Sequence, residues 1–133
     1  MHCNFCNIIK KEANALVVWE NREFLLFLDI KPINPGHLLL IPKKHIGDVF
    51  LLEERTYVRL FKKVKQIAAI VKKNMKAPRV GIAIEGFGVP HAHVHIVPVY
   101  KGNELNPLKA KCISEKKMTN INNLFVGSFN GMG

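Results

Sequence analysis

The stretch His91-Ala92-His93-Val94-His95-Ile96-Val97 decides the fold, because apolar residues fall at every second position from Ala92 to Ile96. That is the period of a β-strand, whose side chains point alternately to its two faces. Ala92, Val94 and Ile96 can enter a core. His91, His93 and His95 then share the other face, roughly 7 Å from one same-face residue to the next at a rise of about 3.3 Å per residue. One histidine in such a place is an ordinary polar position. Three in five residues indicate chemistry, since imidazole exchanges its proton near neutral pH and its neutral form is both a nucleophile and a metal ligand. The residues alone leave two readings open, a metal-binding triad and a phosphate-attacking triad.

The flanking sequence supplies the rest of a sheet. Residues 15–19, 23–30 and 37–41 are short apolar runs bounded by turn residues such as Asn21, Pro32, Pro35 and Gly36. Residues 80–85 form another, and Gly86, Phe87 and Gly88 separate it from the histidine strand over 91–99. Between these runs Tyr57, Leu60, Phe61, Val64, Ile67, Ala68, Val71 and Met75 recur at spacings of three and four, which predicts one long amphipathic helix over 53–76. Glu53 and Glu54 suit the positive end of its dipole, and Pro78 bounds the other end. A short helix is expected over 6–14.

Five strands with one long and one short helix predict an α+β fold on a five-stranded antiparallel sheet. The 133 residues fit a single domain over 1–133, with its core at about 3–100. Residues 118–133 carry no charge, three glycines and four asparagines, and are expected to form a loop-like tail.

Composition narrows the function. No apolar run approaches the roughly 18 residues of a membrane span, and the N-terminal residues lack the basic start and apolar stretch of a secretory signal. A cytoplasmic protein without a membrane partner is expected. The net charge of +10 favours polyanionic partners such as nucleotides. Residues 53–76 alone hold eight basic and two acidic side chains, a surplus of +6. These lysines are not interleaved with aromatics, so they read as a solvated helix face, and a nucleic-acid partner is not expected. Cys3 and Cys6 have the C-x-x-C spacing of half a zinc site, and Cys112 stands apart with nothing near it in sequence to activate it.

The motif at His91–Val97, with Pro98 following, resembles the signature of the histidine triad (HIT) proteins, and in particular their Hint-like, bacterial nucleotide hydrolase branch. Two further blocks carry the resemblance in the family's order: Phe27-Leu28-Asp29-Ile30, and Pro35-Gly36-His37 through Pro42-Lys43-Lys44-His45. With Cys3, Phe5 and Cys6 they extend it from residue 3 to about residue 99.

The resemblance implies a homodimer with a purine nucleotide cleft facing the triad. It implies hydrolysis or nucleotidyl transfer at the α-phosphate, on nucleoside phosphoramidates or dinucleoside polyphosphates. His93 is then the nucleophile, His95 assists the phosphate and leaving group, His91 fixes the tautomer of His93, and His37 supports them. It makes Asp29 the ribose ligand, Phe5, Ile8, Phe27, Leu28 and Ile30 the base slot, and Gly88 and Val89 backbone donors to phosphate. It also implies a structural Zn²⁺ on Cys3, Cys6, His45 and His91, with no organic cofactor.

One segment departs from the family pattern. Gly86-Phe87-Gly88-Val89-Pro90 stands where many members carry a Gly-Gln-Ser/Thr segment, and Glu85 lies near the place of a frequent Asn. The leaving group is therefore open. Two other functions compete: a non-catalytic nucleotide or RNA-binding module, and a hydrolase whose catalytic zinc is held by His91, His93 and His95.

Overall fold

The computed structural model describes residues 3–133. Its elements are α1 (Asn4–Ile9), β1 (Val17–Glu20), β2 (Phe24–Leu28), β3 (Leu38–Pro42), α2 (Glu54–Asn74), β4 (Arg79–Ala83), β5 (Val94–Val99) and α3 (Glu115–Phe129), with short 3-10 turns at Val49–Leu51 and Pro107–Lys109. The strands form one sheet in the order β1-β2-β3-β5-β4, and every neighbouring pair is antiparallel. No helix among the described residues is long and apolar enough to cross a membrane.

The central strands are buried on both faces, which is why β2 reads Phe-Leu-Leu-Phe-Leu without polar alternation. Phe24, Leu26 and Leu28, with Leu38, Leu40, Val94 and Ile96, pack beneath Leu60, Val64, Ile67 and Val71 of α2. Leu25, Phe27, Leu39 and Ile41 face the other way and take Phe5 and Ile8 of α1 in a smaller cluster. Leu39 pairs with His95 and Leu38 with Ile96, so the face opposite the long helices is the one that carries His95.

Three expectations need correction. Residues 118–133 are not a loop-like tail, because α3 occupies most of them and the fold has two long helices instead of one. Ser114 caps α3, its Oγ accepting from the Lys117 N–H at 3.1 Å, and Met118, Ile121, Phe125 and Phe129 bury a stripe against the core. Burying a phenylalanine contributes roughly 1.5–3 kcal/mol relative to exposure, so Phe125 and Phe129, both fully buried, stabilise the docked helix strongly. The Trp19 indole then donates to the Met132 carbonyl at 2.8 Å and fastens the helix end.

The short helix starts earlier than expected, since Cys3 Sγ accepts from the Cys6 N–H at 3.4 Å and caps α1. The histidine strand starts later. The His91 amide donates to Val89 O at 2.8 Å and the Ala92 amide to Ile46 O at 2.6 Å, so the ladder of β5 begins only at Val94.

Candidate active site and metal centre

Because His91 and His93 precede the strand, each histidine of the triad faces its own partners. His91 is fully buried, and its Nε2–H donates to the Pro42 carbonyl at 2.7 Å. Its Nδ1 lone pair therefore points to Cys6 Sγ at 3.5 Å, Cys3 Sγ at 3.6 Å and His45 Nδ1 at 3.2 Å. Cys6 Sγ is in turn 3.2 Å from His45 Nδ1, and one atom from each of the four residues lies within 4.8 Å of the others.

A tetrahedron with metal–nitrogen bonds of about 2.0 Å and metal–sulfur bonds of about 2.3 Å has edges of roughly 3.3–3.8 Å. The four side chains fit that frame. Burial first, and Cys3 next, push the Cys6 thiol up from its ordinary range, a penalty on the thiolate that a bound cation reverses. The carbonyl of Pro42 holds His91 in the tautomer such a centre needs.

The neighbouring histidines form a chain of fixed tautomers. A carbonyl can only accept, so the 2.7 Å contact between His93 Nδ1 and His91 O places a hydrogen on Nδ1 and leaves Nε2 of His93 as a free lone pair. The Phe5 ring meets His93 edge to face at 5.3 Å and holds it. The Ile33 amide donates to His37 Nδ1 at 3.0 Å, so His37 carries its hydrogen on Nε2 and donates it to His95 Nδ1 at 2.9 Å. His95 is left with Nε2–H as an outward donor. His37 follows a turn in which Gly36 has φ +95 and a Cβ would meet Met75 Cγ at 2.8 Å, so glycine is required there.

Asp29, His37 and His95 also bring ligand-type atoms together. The Ile33 amide occupies the Nδ1 lone pair of His37, however, so Nε2 holds a hydrogen and this group is a relay, not a metal site. The same reasoning overturns a catalytic zinc on His91, His93 and His95. Both nitrogens of His91 are turned away, one to Pro42 and one to the cysteines.

Burial, and secondarily His95, lowers His37 to about 3; burial, and secondarily His93, lowers His95 to about 4. Burial also lowers His91. Burial thus favours the neutral imidazole at His37, His91 and His95. Between these values and about 6.5 the unfolded chain binds more protons than the folded one, so stability rises with pH across that window and falls on acidification. For His37, which is 2% exposed, lowering the pH from 6.5 to 5 costs about 2 kcal/mol. Urea midpoints at pH 7 and pH 5 should show this loss, and equal midpoints would contradict the buried neutral relay.

Two cavities flank the triad. One of about 350 Å³ is lined by Asp29, Lys31, Ile33, His37, Ile84, Glu85 and His95, with Leu105 and Pro107 arriving from the returning C-terminal segment. The other, of about 270 Å³, is lined by Asp48, Val49, Phe50, Ile84, Glu85, Phe87, Ala92 and His93. Asp29 Oδ1 accepts from the Lys31 amide at 2.9 Å, and burial raises its carboxyl above the ordinary range.

The expected nucleotide residues are divided. Phe5, Ile8 and Phe27 pack together in the buried cluster on the face of His95, with Val89 against them, and none of the four lines either cavity. Leu28 turns to the opposite face beneath the long helices and is not brought to the site, because strand alternation separates it from Phe27. Ile30 is 74% exposed and lines neither cavity. Gly88, with φ +89, lines neither as well. Sequence reasoning missed Ile33, Ile84, Leu105 and Pro107, which come from separate segments and carry no local signature.

Fold and site thus define an α+β protein in which His93 keeps an uncommitted Nε2 lone pair beside a cluster of four Cys and His ligand atoms. Residues 10–102 match the HIT domain. A HIT-like protein of Methanocaldococcus jannaschii is 36% identical over 105 residues, covering 76% of this chain and 81% of that protein. Adenosine 5′-monophosphoramidase of Schizosaccharomyces pombe is 34% identical over 105 residues, covering 78% and 77%. The crystal structure of a zinc-bound histidine triad family protein from Mycobacterium smegmatis superposes with a TM-score of 0.83 at 29% identity, covering 98% of this chain and 94% of that one. This chain belongs to the histidine triad family.

Proposed function

We propose that this protein hydrolyses or transfers nucleotides at the α-phosphate through a covalent nucleotidyl-His93 intermediate. The observation that carries the reading is the tautomer chain. His93 offers a lone pair at Nε2, and His95 offers a hydrogen at Nε2 beside it, with the two rings 5.2 Å apart. Attack by His93 Nε2 on phosphorus forms the intermediate and expels the leaving group. Water then releases the nucleotide, so one difficult displacement becomes two easier ones. His95 Nε2–H donates a hydrogen bond to the phosphoryl oxygens and stabilises the charge that builds there as the leaving group departs, while the leaving group takes its proton from solvent. His37 acts as a positioning residue that keeps the hydrogen of His95 on the outward nitrogen.

Purine nucleoside phosphoramidates and dinucleoside polyphosphates are the substrate classes, and the similarity to the fission yeast phosphoramidase supports the first. Asp29 binds the ribose. Its Oδ2 is free of the amide that Oδ1 accepts from, and a carboxylate can take both the 2′- and 3′-hydroxyls. Asp29→Ala should raise KM about tenfold for ribonucleotide substrates and less for 2′-deoxy analogues. Equal effects on both would remove the ribose assignment.

Cys3, Cys6, His45 and His91 would hold a structural Zn²⁺, a reading supported by their tetrahedral spacing and by the zinc in the mycobacterial relative. The closed ligand set leaves no open position. The metal would supply rigidity, tying α1 to the backbone whose His91 carbonyl orients His93. We further assign the protein as a cytoplasmic single-domain homodimer.

A further inference from the structure

Release of a nucleotide from His93 consumes water, and the attacking oxygen must shed a proton as it bonds to phosphorus. The tautomer chain leaves no imidazole of the triad to take that proton. His93 Nε2 is the atom joined to phosphorus, and its Nδ1–H is held by the His91 carbonyl at 2.7 Å. His95 accepts the His37 hydrogen at Nδ1 and presents a hydrogen of its own at Nε2. His91 directs its two nitrogens to Pro42 and to the cysteines.

Three carboxylates line the two cavities beside the triad: Asp29, Asp48 and Glu85. Asp29 accepts from the Lys31 amide at 2.9 Å and is the ribose ligand of the reading above. Asp48 Oδ1 accepts from the Phe50 N–H at 2.9 Å and caps a 3-10 turn. Glu85 is exposed and forms no ion pair among the described residues. It also stands where the cavities meet. Ile84 and Glu85 are common to the walls of both, and of the two only Glu85 can accept a proton.

The sheet register puts Glu85 there. Ala83 of β4 pairs with His95 of β5 in antiparallel register. Two residues after Ala83 therefore comes opposite two residues before His95, which sets Glu85 across from His93, and strand alternation assigns both to the face of His95. β4 ends at Ala83 and β5 begins at Val94, so the ladder stops short of this pair, and both side chains line the cavity of about 270 Å³. In-line displacement of His93 brings the water to the side of phosphorus away from Nε2. A carboxylate across the cavity from His93 stands on that side.

We propose that Glu85 is the general base of the second step, taking a proton from the water that releases the nucleotide. The proposal rests on the nucleotidyl-histidine reading above. A lone pair of the water oxygen bonds to phosphorus while the P–Nε2 bond breaks, and its electron pair returns to Nε2, which restores the neutral imidazole with its hydrogen on Nδ1. One water proton goes to a Glu85 carboxylate oxygen and the other stays on the new phosphate hydroxyl. Glu85 then gives its proton to solvent. The first step needs no such help, because His93 Nε2 attacks with its own lone pair. Glu85 therefore acts on one step only.

Rapid-quench kinetics with α-phosphate-labelled adenosine 5′-phosphoramidate separate the two steps in the full-length protein. In Glu85→Gln and Glu85→Ala, label should reach His93 within about twofold of the wild-type rate. It should leave about a hundredfold more slowly, the lower end of what a positioned general base contributes, so the adduct accumulates. Azide attacks without losing a proton. It should speed decay of the Glu85→Ala adduct, yield the nucleoside 5′-phosphorazidate, and leave the wild-type rate unchanged. Urea midpoints of both variants should match the wild type, since Glu85 is exposed.

Label that forms on His93 and decays at the wild-type rate without Glu85 overturns the inference and leaves the nucleotidyl reading standing. Equal slowing of both steps, unrelieved by azide, does the same, because it is the mark of a residue that only shapes the loop. A wild-type protein that releases nucleotide with no label on His93 at any time overturns the nucleotidyl reading, and the inference with it.

Discussion

Replacing His93 with alanine is expected to lower turnover of an α-phosphate substrate by at least about 10⁴-fold and to abolish the covalent adduct. The size of the effect follows from how few groups at the site can attack phosphorus. His91 directs its Nδ1 to the cysteines and its Nε2 to Pro42. His95 uses Nδ1 as the acceptor for His37 and presents a hydrogen at Nε2. His93 alone of the triad keeps an uncommitted lone pair, and the His91 carbonyl orients it. If the protein only bound nucleotides, the same substitution would alter stability and leave no catalytic signature. Steady-state kinetics on adenosine 5′-phosphoramidate, with urea melts of both proteins, separate these cases.

Cys3→Ala together with Cys6→Ala should remove zinc and stability in one step. Elemental analysis of untagged wild-type protein should give about one zinc per chain, and the variant none. A metal present at a thousandfold over its dissociation constant stabilises the folded state by about 4 kcal/mol, which for a chain of this size corresponds to a drop of roughly 10 °C or more in Tm. A chelator should reproduce that drop in the wild type and leave the variant unchanged. Turnover should fall as well, because the lost anchor frees the His91 backbone that orients His93. Protein without bound zinc whose Tm ignores the chelator would remove the metal centre and leave the tautomer chain untouched.

Much of the fold can be read from the chain because its periods are strong. The stripe Leu60, Val64, Ile67, Val71 places α2 within a few residues of its expected ends, and turn residues bound the strands. α3 is hard to read from the sequence because its asparagines and Gly127 lower helix propensity, although Met118, Ile121, Phe125 and Phe129 hold the spacing of a buried face. Here docking against β1 and α2 outweighs local preference. At the triad the period misleads. Alternation implies three equivalent histidines, but the amides of His91 and Ala92 bond outside the ladder and turn the first two rings toward different partners.

The candidate site is legible to different depths. Cys3 and Cys6 stand out by their C-x-x-C spacing, His45 and His91 join them only through the family resemblance, and the fold brings all four together. The relay from Ile33 through His37 to His95 could not, since a backbone amide has no sequence signature. Nor could the cavity walls. Leu105 and Pro107 reach the site because the segment after β5 folds back over the sheet, where the Lys111 amide donates to Pro32 O at 3.1 Å.

The most direct measurement of the central claim is a rapid-quench single-turnover experiment with an α-phosphate-labelled nucleoside phosphoramidate. Mass spectrometry of the peptide containing residues 91–97 then follows the label. Label that accumulates on His93 within the first turnover and disappears at the rate of nucleotide release is the predicted result. Nucleotide release at the wild-type rate from the His93→Gly protein, with no label on any histidine, would contradict it.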